Sequence, residues 1–198
     1  LELYDASGDE IHLARAIELV RQVIARFEHP EAGFYLTRDD VALGRQVRIE
    51  DTVRPSGNSA MLHVLLRTAA LTGEMDLHTR VATTLGAYSA AMARSGIGTA
   101  WWFDAAEKLA GPHYEVVVAG ASDTMVHAFR RIHPSHALLV TVPADGPDDR
   151  ALSLMPPLAG KKALDGAPTA YVCRFGACKM PTADPEVLRQ QILEGWTY

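Results

Sequence analysis

Leu71-Thr72-Gly73-Glu74-Met75 is the stretch on which the reading of the fold turns. It separates two runs whose apolar residues recur at spacings of three and four, so it joins two amphipathic helices rather than a helix and a strand. Upstream, Leu62, Leu65, Leu66 and Ala69 fall on one face of a helix expected from about Ala60 to Leu71. Downstream, Leu77, Val81, Leu85, Tyr88 and Met92 do the same for a helix from about Met75 to Arg94, with Ser95-Gly96 as its stop. Ser7-Gly8-Asp9 occupies an equivalent place near the start. There Leu1-Glu2-Leu3-Tyr4 reads as the last turn of a helix, and Asp9 as the N-cap of another running to about Phe27. Leu13, Ile17, Val20, Ile24 and Phe27 form its buried stripe and His29-Pro30 ends it. A joint that repeats between apolar helix ends is the signature of stacked helix pairs, as in an α-solenoid or an α/α toroid. The pairs present supply only part of a closed ring, and a chain that opens without Met inside a helix reads as a fragment.

Between these helices, Gly33-Phe34-Tyr35-Leu36 and Arg45-Gln46-Val47-Arg48-Ile49 alternate around a polar loop with Asp39, Asp40 and Gly44, so a β-hairpin excursion is expected at about 33–50. Pro55-Ser56-Gly57-Asn58-Ser59 then opens the next helix with turn and cap residues. From His113 the periodicity changes. Tyr114 to Ala119 and His136 to Val142 read as buried strands flanking an amphipathic helix from Asp123 to Ile132, a βαβ unit and hence a parallel pair. A Pro/Asp/Gly-rich connector and Met155-Pro156-Pro157-Leu158 lead to a third strand, Thr169 to Cys173. Asp184-Pro185 starts a closing helix, because Asp caps free N–H groups and Pro needs none at the first helical position. The expected architecture is mainly α with a small α/β part: residues 1–111 as helical hairpins of an incomplete α/α toroid, and 112–198 as a small α/β subdomain.

Composition narrows the function classes. A chain of 198 residues that is 48% hydrophobic and 22% charged can bury a sizeable core. A net charge of -5 without a Lys/Arg cluster argues against nucleic-acid binding. The longest apolar runs fall far short of a bilayer span and no basic-apolar-small segment opens the chain, so a membrane role is not expected and localisation defaults to cytoplasmic. Gly120-Ala121-Ser122-Asp123 follows a strand and precedes a helix, yet it lacks the G-x-G-x-x-G pattern, and a carboxylate at Asp123 would repel a phosphate. Ser56 lacks the glycine pattern of a hydrolase nucleophile elbow. No cofactor is expected.

The two cysteines sit together in Tyr171-Val172-Cys173-Arg174-Phe175-Gly176-Ala177-Cys178-Lys179. A strand end leading into a Phe-Gly turn can bring both sulfurs within bonding reach. Three readings stand. Cys173 and Cys178 are structural thiols at the edge of the sheet, as the burial habit of free Cys favours. Alternatively they are a redox couple whose thiolates Arg174 and Lys179 would favour, at a spacing looser than C-x-x-C. As zinc ligands they are only two, and His113, His127, His133 and His136 are not at finger spacing, so no metal is assigned.

Taken together, Gly33-Phe34-Tyr35, Arg45 with Asp51 and Pro55-Ser56-Gly57-Asn58-Ser59, Val116-Val117-Val118-Ala119-Gly120, and Tyr171-Val172-Cys173 with Cys178 and Pro181 resemble one family over essentially the whole chain. It is the thioredoxin-domain-containing family that includes spermatogenesis-associated protein twenty and its bacterial and archaeal relatives. The resemblance implies the C-terminal portion of such a protein: part of a toroid similar to six-hairpin glycosidases and sugar epimerases, without the N-terminal thioredoxin-like domain. That domain is then an expected partner, and a carbohydrate or other small molecule an expected ligand.

In such toroids the loops leading into inner helices line the sugar funnel, so Asp51, Asp40 and Glu50 are candidate catalytic carboxylates, with Asp39 a further partner, and Arg45, Asn58 and Ser59 candidate substrate-binding residues. The competing reading makes Pro55 to Ser59 a rigid helix start, with Asn58 or Ser59 capping and Asp51 fastening the loop. Trp101, Trp102 and Phe103 could stack on a sugar, but burial tendencies assign the trio to the core. The function expected is a glycosidase- or epimerase-like module with a carbohydrate-related role. The alternative is a non-catalytic scaffold whose Cys173/Cys178 pair works in redox exchange with the thioredoxin-like domain.

Overall fold

The computed structural model describes residues 1–39, 44–111, 113–132, 134 and 137–194. The chain is mainly helical with a small mixed sheet, and it divides into two compact units. One comprises Ala14–Ala69 and Glu74–Ala110; the other comprises Leu1–Leu13, Ala70–Gly73 and Gly111–Tyr198. Among the described residues, no helix is long and apolar enough to cross a membrane.

Among the described residues the α-helices α1 (Glu2–Ser7), α2 (Glu10–Phe27), α3 (Gly57–Thr72), α4 (Met75–Ser95) and α5 (Ala100–Ala110) come first. Each boundary has a local cause. Gly8 takes a left-handed φ of 69° and returns its N–H to the Tyr4 carbonyl, ending α1. The Asp9 carboxylate accepts the N–H of Ile11, the expected cap of α2. Gly96 closes α4 with its N–H on the Met92 carbonyl. The core of the helical unit packs Val20 of α2, Leu62, Leu65, Leu66 and Ala69 of α3, Leu77, Val81, Leu85 and Met92 of α4, and Trp102 and Ala105 of α5, with Phe34 joining from outside the helices. These positions repeat every three to four residues in each helix, which is why periodicity alone found the first three of those four helices.

Three expectations are corrected here. Helix α3 begins at Gly57 rather than near Ala60, because Ser56 is its cap: the Ser56 hydroxyl accepts the N–H of Ser59 at 3.1 Å, so neither Asn58 nor Ser59 fills that role. The segments around 33–36 and 45–49 do not form two strands. Among the described residues they meet at one β-bridge, Tyr35 opposite Val47, with the N–H of Leu36 donating to the Gln46 carbonyl. The aromatic trio does not all enter the core. Successive residues on a helix point about 100° apart, so Trp102 is fully buried while Trp101 and Phe103 are each about half exposed, at 47% and 48%.

In the other unit, β1 (Tyr114–Ala119), α6 (Asp123–Ile132), β2 (Ala137–Val142), α7 (Asp149–Leu154), β3 (Thr169–Arg174), β4 (Ala177–Cys178) and α8 (Pro185–Leu193) follow in order. The sheet runs β2-β1-β3-β4. Strands β1 and β2 are parallel, as the βαβ reading requires, while β3 lies antiparallel to β1 and β4 antiparallel to β3. Ser122 caps α6, its hydroxyl accepting the Met125 N–H. Asp184 caps α8 with Pro185 at the first helical position, as expected. Helix α7 arises within the polar connector, where Asp148 accepts the N–H of Ala151. Of the second-strand stretch, His136 lies outside the described residues. Strand side chains alternate between faces. Val116, Val118, Ala170 and Val172 face α6 and α8 with Met125, Phe129, Leu188 and Ile192, which leaves Glu115, Val117, Val140, Tyr171 and Cys173 on the opposite face.

Candidate functional site

The most chemically distinctive place in the molecule is on that opposite face, where β3 turns into β4. Phe175 and Gly176 both adopt positive φ, 49° and 81°. Two left-handed central residues define the tight hairpin turn that matches strand twist, and Gly supplies one of them without strain. The turn sets the register, so that Cys173 lies directly opposite Cys178. The two sulfurs are bonded, with their Cα atoms 3.9 Å apart. Of the three readings of the cysteines, two free thiols and a zinc pair give way to a disulfide. Its halves differ: Cys173 is 3% exposed, whereas Cys178 lies on the short, exposed edge strand.

Two ionisable groups flank this bond. Lys161, in the turn after the helical residues Pro156–Leu158, places Nζ 2.9 Å from Cys178 Sγ and lies over the Tyr171 ring. Tyr171 is held in turn by its hydroxyl, which donates to the Lys162 carbonyl at 2.6 Å. Glu115 is the register partner of Cys173 on the neighbouring strand, so the row Leu138, Glu115, Cys173, Cys178 crosses the whole sheet on one face. Glu115, Lys161 and both cysteines line a cavity of about 30 Å³ whose remaining walls are mostly apolar, including Val117, Leu138, Val140, Met155 and Leu158. Burial pushes the Glu115 carboxyl up to about 7, against the opposing pull of the Phe175 N–H and the Lys161 charge. Burial also lowers the Lys161 ammonium, which Glu115 partly offsets.

Sequence reasoning missed both residues. The available signal for Glu115 was a lone acid inside the apolar run Tyr114 to Ala119; Lys161 had none, since only the fold brings it to the sulfurs.

The residues singled out from the sequence around Asp51 form a separate, highly connected structure. Asp51 Oδ1 accepts the N–H of Ser56 at 2.8 Å and the hydroxyl of Ser59 at 2.6 Å, and Oδ2 accepts the N–H of Trp101 at 3.0 Å. Asn58 is buried and makes three bonds. Its oxygen accepts the Phe34 N–H, and its amide donates to the carbonyls of Phe34 and Arg48. Ser59 is fully buried. Arg45 stacks on Tyr35 at 3.9 Å and donates to the carbonyls of Thr37 and Arg26. Glu50 and Asp39 are exposed, and Asp40 lies outside the described residues. The structure therefore brings Asp51, Asn58 and Ser59 to one helix start. Beside them, His63 contacts the Trp101 carbonyl at 3.0 Å through Nε2, and Asp104 Oδ2 accepts Lys108 Nζ at 2.8 Å. The His63 imidazole is held below its ordinary pKa, chiefly by burial.

No family model and no solved structure matches the chain. Human spermatogenesis-associated protein 20 is 28% identical over 200 residues, covering 96% of this chain and 25% of the human protein. The mouse and rat proteins of the same name are each 27% identical over 201 residues with the same coverage. The chain thus spans about a quarter of the length of the curated relatives it matches, in their C-terminal part.

Proposed function

We propose, for a chain that belongs to the family of spermatogenesis-associated protein 20, that this region carries out thiol–disulfide exchange at Cys173–Cys178. The observation that carries this reading is the asymmetry of the disulfide: an exposed Cys178 sulfur with a lysine ammonium at 2.9 Å, bonded to a buried Cys173. An incoming thiolate attacks Cys178 Sγ, the accessible sulfur. The S–S bond breaks, its electron pair departs with Cys173, and the attacker is joined to Cys178 in a mixed disulfide. A second thiolate then attacks the partner's sulfur in that mixed disulfide. Two partner thiols leave as a disulfide and Cys178 leaves as a thiolate beside the Lys161 charge. Phe175 and Met180, on either side of Cys178 along the chain, are exposed and offer apolar surface to a protein thiol. The thioredoxin-like domain that the family resemblance implies is the dithiol partner of this proposal. The test is to open the disulfide of the folded chain with glutathione and map the mixed disulfide by mass spectrometry. Glutathione is expected on Cys178, and Cys178→Ser forms no adduct. An adduct confined to Cys173, or a disulfide that resists millimolar thiol in the native state, would overturn the reading.

A second reading, a carbohydrate-related role for the paired helices as part of an α/α toroid, draws on one observation. Trp101 is half exposed, and its backbone is fastened to Asp51 next to His63 and Asp104. An aromatic face beside polar groups suits a sugar ring. Quenching of tryptophan fluorescence by monosaccharides, lost in Trp101→Ala, is the expected result; unchanged fluorescence at saturating sugar removes this reading.

A further inference from the structure

Attack on Cys178 leaves the negative charge on the wrong sulfur for stability. Cys173 sits almost wholly inside, on a strand whose neighbours across the cavity are Val117, Leu138, Val140, Met155 and Leu158. A thiolate there is unsolvated, and the Lys161 ammonium contacts the other sulfur. The opening step needs a proton delivered to Cys173, and among the described residues Glu115 is placed to supply it. Glu115 is the direct cross-strand partner of Cys173 on the same face, a relation that places the two Cβ atoms about 5 Å apart. Both side chains line the same small cavity, whose volume of about 30 Å³ is enough for one water.

We infer that Glu115 is the proton donor to Cys173 when the disulfide opens and the base that takes the proton back when it closes; this rests on the exchange reading above. The step balances. The attacking thiolate forms its bond to Cys178 Sγ as the Cys173–Cys178 bond breaks, and the Glu115 proton passes to Cys173, directly or through one water. The products are a neutral buried thiol and a Glu115 carboxylate. That carboxylate keeps two compensating neighbours, the Lys161 ammonium and the Phe175 N–H. The charged group lining the cavity with Glu115 is Lys161, from the turn after Pro156–Leu158, beside the two bonded sulfurs of β3 and β4; the Tyr171 phenol, on the same face of the sheet, is engaged with the Lys162 carbonyl. The strand β2 and the segment Met155–Leu158 contribute apolar side chains. A carboxyl that burial lifts to about 7 is still partly protonated at neutral pH, as a donor must be.

The test measures the rate at which dithiothreitol opens the disulfide of the full chain between pH 5 and 9, divided by the fraction of dithiothreitol present as thiolate. In the natural chain this corrected rate should fall about tenfold as pH rises through about 7. In Glu115→Gln it should stay flat at the lower value, and Glu115→Asp should restore the fall. A Gln variant with the natural pH profile overturns the inference while leaving exchange intact. A natural disulfide that dithiothreitol cannot open in the folded state overturns the exchange reading instead, and this inference with it. Should the Gln variant fail to fold, the natural chain decides alone. A solvent deuterium isotope effect present at pH 6 and gone at pH 9 supports proton transfer from a titrating donor; its absence at both values refutes it.

Discussion

The loop at Asp51 and the hairpin at Cys173 are both polar clusters set against apolar cores, yet they are built on opposite principles. Around Asp51, three donors converge on one carboxylate and three bonds satisfy the Asn58 amide. Such saturation lowers the free energy of one arrangement and resists any other. At the hairpin, an acid and a base are drawn into an apolar cavity beside a covalent bond that can break, and each is displaced from its ordinary protonation equilibrium. Displaced equilibria of this kind are what proton and sulfur chemistry use. Charge in a sequence therefore says little about chemistry until its partners are known: a carboxylate with three donors is a fastener, and one pressed against valines and a disulfide is a reagent.

That contrast can be broken first at Asp51. Asp51→Ala removes the acceptor of the Ser56 and Trp101 N–H groups at once, and leaves the Ser59 hydroxyl only the Ser56 carbonyl as an acceptor. A partly buried donor without an acceptor costs about 1–3 kcal/mol, while the Trp101 N–H can turn to water and the Ser59 hydroxyl to Ser56, so a loss of about 2 kcal/mol in urea unfolding is expected. Asp51→Asn should recover part of it, because the amide oxygen can still accept. A fully stable Asp51→Ala variant would mean that the carboxylate is not a fastener and is free for the chemistry that its position in the loop first suggested.

How far each cluster could be read from the chain follows from the range of the forces that build it. Helices α2 and α4, the βαβ order and the Asp184-Pro185 start of α8 are set by neighbours within a turn or two, and periodicity and caps exposed them. Helix α5 escaped because three consecutive aromatics mask its period and only the middle one is buried. The segments near 33–36 and 45–49 alternate like strands, but the side chain of Asn58 takes the backbone groups of Phe34 and Arg48, and no continuous ladder forms among the described residues. Gly33 shows how tightly this is built, since a Cβ there would meet Asn58 Oδ1 at 2.9 Å. The Phe-Gly turn announced that Cys173 and Cys178 could meet, because turn geometry is local. The neighbours that give the bond its chemistry were hidden, because Glu115 arrives through strand register 58 positions away and Lys161 through a turn with no pattern of its own.

The hairpin offers the sharper test, through the dependence of stability on pH. Folding raises the Glu115 carboxyl from 4.5 to about 7, chiefly by burial. Between those values the folded chain holds a proton that the unfolded chain has released, so stability must fall as pH rises through this window. The contribution is fully present below about 4.5 and lost above about 7. The full shift corresponds to roughly 3 kcal/mol, and partial solvent access reduces the expected loss to about 2 kcal/mol. Glu115→Gln carries no charge to desolvate, so the difference between the two chains in urea unfolding isolates this one group from every other titration. The variant should gain on the natural chain steadily from pH 5 to pH 7.5 and hold a constant lead beyond. Parallel curves would mean that the carboxyl is as well solvated as an ordinary surface acid. The hairpin would then be no less saturated than the Asp51 loop, and the distinction between fastener and reagent would lose its physical basis.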